Sequence, residues 1–526
     1  MKYEVEVLVE QYLKNNYTWM LKKFFLPSNL CVNELKNILV VDHGKAQIVD
    51  QACLFYTMLC KDYLRLYNRN ELDGYTQFHY AQLVDIFGIG YRGVLDLLLA
   101  AGLLEVNQVN PETGEVKTTG YYSKTRATAK SYRIPKRLHE LGKFYKTATI
   151  NTLDKVLMNK IARLKGVTTD QHLKREYYRN YVLAQMNQVV LLDNDHSRSV
   201  IALECAKRGV AYTDEYATAR INAFNFDPVK RSVICAFGTR VHTEITNNLK
   251  QMREDFRFGG DSSKWEEIDL VASQPWFLSI ITPALIKKFV PECADAIPAF
   301  KTYNRHPDLL RFRRLCADPD YGIYEAFRDA YNAMYGAQFT RADAKRICFR
   351  AFYTNYQKHE KLTPAKCAVR VQRACDALAA VEESHKHVLC FGYRYQRHEA
   401  VQQLQAAKKR VKLAKSLLFS HQCITMFKAE FRGAYDLLAE IKLLPWDFER
   451  GTKTFYTKYY ANPALLAQRM EASIVYTVVV KALVDAGITR IVTIHDSFCV
   501  REQDAAQAKK IIKRAFAQLK LKPSLK

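Results

Sequence analysis

A chain of 526 residues is longer than one hydrophobic core usually holds, so two or three domains are expected. Hydrophobic content of 48% with only 14 prolines excludes a disordered chain, and 79 Lys and Arg against 54 Asp and Glu (net charge +25) favour a polyanionic partner. The best membrane candidate, Ala472 to Val484, is broken by Lys481, and the start Met1-Lys2-Tyr3-Glu4-Val5-Glu6 lacks a secretory apolar core, so neither membrane insertion nor secretion is expected.

Residues 1–70 read as a helical N-terminal segment, with the clearest apolar periodicity from Ile48 to Tyr67. Residues 71–135 form the first distinct module. Gln77 to Phe87 reads as a short amphipathic helix, Gly88-Ile89-Gly90 as a tight turn, and Tyr91 to Ala101 as a second helix with Arg92 at its start. Leu103 to Val109 and Glu115 to Tyr122 read as strands joined by Asn110-Pro111-Glu112-Thr113-Gly114. A basic run through Lys124, Arg126, Lys130 and Arg133 follows. Helix-turn-helix with a basic hairpin resembles a winged-helix module, which implies Arg92, Lys124, Arg126 and Lys130 on DNA; such modules also bind proteins. Residues 136–230 read as helical and strongly basic.

Three stretches in the second half carry candidate chemistry. In Glu266-Glu267-Ile268-Asp269-Leu270 an acid closes a short strand, and a helix begins just after Pro275. A helix N-cap aspartate is the bland reading of Asp269. In Arg341-Ala342-Asp343-Ala344-Lys345-Arg346 through Tyr353, helical spacing puts Arg341, Lys345 and Phe349 on one face, suited to a triphosphate, with Tyr353 a turn further on. In Arg490 to Val500, β-branched residues surround His495-Asp496-Ser497-Phe498, an acid at the tip of a hairpin. An ionised Asp among apolar neighbours costs several kcal/mol unless a cation or hydrogen bonds compensate it.

Asp269, then Arg341-x3-Lys345-x7-Tyr353, then His495-Asp496 resemble motifs A, B and C, in that order, of the superfamily of family A DNA polymerases and single-subunit phage and mitochondrial RNA polymerases. Ala467-Gln468-Arg469-Met470-Glu471-Ala472 resembles the glutamine-bearing helix preceding motif C, and Phe237-Gly238-Thr239-Arg240 a Gly-Arg element that touches the template–product hybrid. The resemblance covers residues 230–526. It implies an α+β, right-hand polymerase fold, with a thumb or connector in 136–230, palm and fingers in 231–526, and a basic helical elaboration over 360–437. Thr354 stands where both branches usually have Gly, and Trp276 where family A motif A has an arginine.

The resemblance implies that Asp269 and Asp496 hold two Mg2+ ions roughly 3.5–4 Å apart. Arg341 and Lys345 would neutralise the triphosphate, Lys345 would protonate the leaving group, and His495 would position the hairpin or the 3′ end. Tyr353, Gln274 and Gln468 would line the nucleotide site and Arg240 the nucleic acid. The partners implied are a DNA template, nucleoside triphosphates and the product strand, bound by a monomer. His-Asp-Ser-Phe and Lys345-Arg346 lean toward an RNA product; Gln274, with the bulk of the Glu that blocks a ribose 2′-hydroxyl, and Gln468 pull toward DNA. A non-catalytic DNA-binding replication initiator is the alternative from another class, and a metal-dependent nuclease leaves the Arg341/Lys345/Tyr353 helix unexplained. Thirteen scattered cysteines without a CxxC pair point to a reducing compartment, such as the cytoplasm of a bacterial or phage-infected cell, and to no zinc site.

Overall fold

The computed structural model describes residues 23–43, 47–67, 74–109, 116–117, 120, 129–138, 145–149, 177–226, 233–235, 237–259, 261–318, 320–391, 394–446 and 459–526. These residues form a mostly helical α+β protein with small antiparallel sheets, divided into two compact units. The first comprises Met1–Ile234, Val241–Glu267 and Ile488–Ala506; the second comprises Cys235–Arg240, Ile268–Gly487 and Gln507–Lys526. Residues 231–526, expected as one catalytic domain, are therefore shared between both units. No helix among the described residues is long and apolar enough to cross a membrane.

The first unit begins with β1 (Lys23–Leu26), α1 (Val32–His43) and α2 (Gln47–Tyr67). Ala52, Phe55, Tyr56 and Leu59 recur at helical spacing on α2 and are all buried, so this helix organises the local core. Thr57 sits in that core because its hydroxyl accepts from the Phe25 amide at 3.0 Å and donates to the Cys53 carbonyl at 2.9 Å. The module that follows has β2 (Thr76–Gln77), α3 (Tyr80–Phe87), α4 (Tyr91–Ala100), β3 (Glu105–Val106) and β4 (Ser131–Arg133), the strands in the order β2-β4-β3. Gly88 makes the turn between the helices at φ 77°, a conformation that favours glycine. Of the expected hairpin, Val109 and Val116 form an antiparallel bridge, while the loop 110–114 and most of the return strand lie outside the described residues.

Two expectations of helix are corrected here. Residues 1–70 contain the strand β1, and residues 136–230 contain β5 (Lys146–Thr149), which pairs with β1 in the register Lys23↔Thr149 to Leu26↔Lys146. The pairing crosses more than a hundred residues, so a local periodicity cannot show it. Beyond it come α5 (Tyr177–Gln188), β6 (Val189–Leu191), a second strand within 136–230, then α6 (Asp195–Arg208) and α7 (Asp214–Phe226). Then follow β7 (Val233–Ile234), β8 (Val241–His242), the short α8 (Glu244–Asn247), β9 (Phe256–Phe258) and β10 (Trp265–Asp269). Near the C-terminus, β11 (Ile491–Ile494) and β12 (Ser497–Arg501) complete a sheet of order β10-β12-β11. Within the first unit, α5 braces this hairpin. Tyr181 donates to the Thr489 carbonyl at 2.5 Å, and Arg490 donates to Gln188 at 2.7 Å.

The second unit is built on helices: α9 (Ser273–Ile280), α10 (Pro283–Phe289), α11 (Ile297–Tyr303), α12 (Pro307–Ala317), α13 (Ile323–Tyr335), α14 (Arg341–Tyr353) and α15 (Tyr356–Glu360). Next come α16 (Pro364–Phe391), α17 (Arg394–Glu430), α18 (Arg432–Ile441), α19 (Asn462–Ile474), a π-helical turn (Val475–Val480), α20 (Lys481–Asp485) and α21 (Ala505–Ala517), which belongs to this unit from Gln507 onward. An aromatic core fixes how α14 is rotated. Phe352 packs edge-on against Phe312, Phe327 and Phe427, and Phe327 stacks on Phe431 at 5.3 Å and 14°. Such pairs contribute about 0.5–1.5 kcal/mol each beyond burial. With Phe352, Ile347 and Cys348 inward, Arg341 and Lys345 are left on the exposed side.

Buried His359, at the end of α15, stacks on His421 with ring centroids 6.3 Å apart. Burial, and then the neighbouring His421, push its pKa down to about 4 from the usual 6.5. The unfolded chain therefore binds a proton between those values that the folded chain does not. Unfolding free energy is expected to rise from about pH 4 to about 6.5, with His359 contributing on the order of 3 kcal/mol in total. Urea titrations of His359→Gln across this range should show a flatter profile; an unchanged slope would assign the effect to other groups.

Candidate active site

Asp269 closes β10, as expected, and its carbonyl accepts from the Lys526 amide at 2.9 Å within the second unit. Leu270 and Leu525 continue this as an antiparallel bridge, so the C-terminal tail pins the backbone beside the acid. Helix α9 begins at Ser273, two residues before Pro275, with Gln274 in its first turn. Asp496 lies in the first unit, in the two-residue turn between β11 and β12, where Ile494 pairs with Ser497. Both strands are buried throughout apart from Arg501, while His495 and Asp496 at the tip are partly exposed. His495 meets the His242 ring edge-on at 5.4 Å.

The second unit gathers residues from four distant stretches around one carboxylate. Glu471, on α19, has 1% of its side chain exposed. Its Oε2 accepts from Arg240 Nη2 at 2.5 Å and from Gln274 Nε2 at 3.0 Å. The other end of the Gln274 amide, Oε1, accepts from the Tyr353 hydroxyl at 3.4 Å. Burial pushes the Tyr353 phenol well above its ordinary range, and the Arg240 guanidinium pulls it partly back. Gly238 lets the Phe237–Arg240 loop lie directly on Gln468, because a Cβ at 238 would come within 2.8 Å of Gln468 Cβ. Arg469 fastens the same loop, donating to the Phe237 carbonyl at 2.9 Å and to Glu292 at 2.8 Å. Arg240, expected along a nucleic-acid strand, has its Nη2 paired with Glu471.

Helix α14 starts at Arg341, with Thr340 and Asp343 forming a capping box. Arg341 is exposed and ion-paired with Glu325, and Lys345 lies over the Phe349 ring at 5.9 Å. The helix ends at Tyr353. Thr354, where the resemblance leads to glycine, has φ −86° and ψ 156°, an extended conformation that needs no glycine. Its carbonyl accepts from Lys442 Nζ at 2.7 Å, and that amine also lies 3.1 Å from the Tyr356 ring centroid. Burial drives the Lys442 pKa well below the ordinary lysine range.

Backbone strain marks the same stretches. Among the described residues four non-glycine positions have positive φ: Thr239 (52°), Ala272 (51°), His495 (57°) and Lys520 (58°). The first three adjoin Arg240, the Asp269–Gln274 segment and Asp496. A left-handed residue costs about 1–2 kcal/mol, and such outliers concentrate at functional sites. Of the residues expected on DNA, Arg92 is exposed at the start of α4, Lys130 is half-buried, and Lys124 and Arg126 lie outside the described residues.

Glu471, Lys442 and Glu325 carry no role in the sequence reading. Glu471 had a signal: an acid on a helix otherwise lined by Leu465, Leu466, Met470 and Ile474, all buried. Lys442 and Glu325 had none. No family model matches the chain, and no curated protein matches it.

Removing Glu471 leaves Arg240, with 15% of its side chain exposed, without this counter-charge. Glu471→Ala is expected to cost about 3 kcal/mol in urea unfolding. Glu471→Gln, which keeps an acceptor for Gln274, should cost less. A change below about 0.5 kcal/mol in the Ala variant, the range of an ordinary surface substitution, would show that the pair does not hold the loop.

Proposed function

We propose that the protein is a DNA-templated nucleotidyltransferase that extends a nucleic-acid 3′ end from nucleoside triphosphates, within a right-hand palm, fingers and thumb architecture. The observation that carries this reading is the convergence around Glu471. Phe237–Arg240, Gln274, Tyr353 and Gln468 were each picked out by resemblance to one polymerase superfamily, and they meet in one unit. The turn conformation at His495-Asp496 and the capped start of α14 support it further.

In the proposed reaction the 3′-hydroxyl of the growing strand gives its proton to solvent as its oxygen bonds to the α-phosphorus, and the bond from that phosphorus to the oxygen bridging to the β-phosphate breaks. Pyrophosphate departs. Arg341 and Lys345, exposed one helical turn apart, bind the triphosphate, and Lys345 gives a proton to the leaving oxygen. Tyr353 packs against the base or sugar, and its hydroxyl donates to the Gln274 amide oxygen. His495 sets the turn that presents Asp496. The described residues hold no cage of three or more His, Cys, Asp and Glu. Asp269, in the second unit, and Asp496, in the first, are each a carboxylate of the kind that would hold Mg2+ together with substrate phosphates. Mg2+ held by such a carboxylate would supply charge neutralisation at the phosphates and a more acidic 3′-hydroxyl.

A ribonucleotide substrate is favoured by His-Asp-Ser-Phe and Lys345-Arg346. Gln274 opposes it by bulk alone, since both ends of its amide are engaged by Glu471 and Tyr353. The module of α3, α4 and β2-β4-β3 is read as winged-helix-like and as a docking site for template DNA, with α4 and its exposed Arg92 toward the groove.

Extension of a templated DNA hairpin with Mg2+, offered rNTPs and dNTPs in parallel, tests the proposal. Incorporation is expected from the rNTP pool and is expected to disappear in Asp269→Asn and Asp496→Asn. Lys345→Ala should lower the rate by on the order of 10²–10³. Incorporation surviving in Asp496→Ala would sink the metal assignment, and none from either pool would leave the non-catalytic initiator as the better reading.

A further inference from the structure

We propose that the antiparallel pair α16–α17 is a docking arm for the sugar–phosphate backbone of a nucleic-acid duplex, using none of the residues gathered around Glu471. These helices have 28 and 37 residues. They run antiparallel: His385 meets Gln403 at 2.6 Å, and Lys408 approaches Glu382 at 3.9 Å. Their seam is thin. Among the described residues Cys367, Ala400, Ala407 and Val411 are buried apolar residues there, while many others of the pair are exposed.

The solvent side carries two cationic stripes. Lys366, Arg370 and Arg373 stand at i, i+4 and i+7 on α16, and Lys408, Lys412 and Lys415 repeat that spacing on α17. All six are exposed, and among the described residues only Lys408 has an ion-pair partner. No Asp or Glu occurs between Glu399 and Glu430, or between Glu360 and Asp376. An ordinary solvated helix face interleaves both signs, because like charges at i, i+4 cost about 0.2–0.5 kcal/mol per pair. Within the chain only the Lys408–Glu382 pair offsets that cost among the described residues. A duplex carries one negative charge per ~1.7 Å of its axis, while three cations on one helix face span about 10 Å, so each stripe matches several phosphates. A lipid surface fits less well, since the exposed apolar residues Val369, Val401 and Leu413 are isolated and no aromatic residue among the described ones of the arm is exposed.

The test uses the full chain, a fluorescent blunt DNA duplex of about 20 base pairs and no nucleotide or Mg2+, so its outcome is independent of the nucleotidyltransferase reading. Lys408→Gln/Lys412→Gln/Lys415→Gln keeps helix propensity while removing charge. It is compared with Lys510→Gln/Lys513→Gln/Arg514→Gln, an equal charge loss on α21. The arm triple is expected to weaken binding about tenfold near 0.1 M salt and to flatten the log–log salt slope by about 0.9 per lost contact. The α21 triple should change affinity less than twofold. Equal effects of the two triples, or no change in slope for the arm triple at an unchanged melting temperature, would overturn the proposal. So would poly-glutamate displacing the duplex from the wild type as well as unlabelled duplex does.

Discussion

Glu471 places a carboxylate almost out of reach of water, and the surrounding part of the second unit is arranged to make that tolerable. Desolvating such a group costs several kcal/mol unless charge and hydrogen bonds offset it. Here Arg240 brings the counter-charge and Gln274 a neutral donor, from positions 231 and 197 residues away in the chain. Both partners reach one oxygen, which requires the 237–240 loop to lie hard against α19. Gly238 permits that approach and Arg469 holds it. Gln274 in turn presents its carbonyl to Tyr353, so the end of α14 is registered against the start of α9.

The rotation of α14 comes from a different force. Its apolar face is committed to the aromatic core of Phe312, Phe327, Phe427 and Phe431, leaving the opposite face to Arg341 and Lys345. Packing thus decides which side of the helix faces solvent, and the Glu471 network decides where its far end lies. Lys442 completes this by gripping the Thr354 carbonyl from within the fold. Strain at Thr239, Ala272 and His495 fits the same picture, because neighbouring strands and helices over-determine those turns.

Much of this was legible in the residues. The helices Gln47–Tyr67 and Arg341–Tyr353 follow from apolar spacing and a capping box, and the hairpin from β-branched runs broken at His495-Asp496-Ser497-Phe498, although its second strand starts at Ser497 rather than Cys499. The long basic helices between 364 and 430 were legible as helices, though not as two parts of one antiparallel pair. The strand Lys146–Thr149 was not legible at all. It is only four residues long, and its partner Lys23–Leu26 is more than a hundred residues earlier.

The sequence by itself determined the local elements, the order of the candidate motifs and the excess of positive charge, since each depends on neighbours within a turn or a strand. Only the tertiary structure decided that Glu471 is buried, that Arg240 pairs with it, that Gln274 is held at both ends, and that Thr354 needs no glycine. Those outcomes depend on which groups lose water together, and desolvation is a property of the packed chain rather than of any single segment.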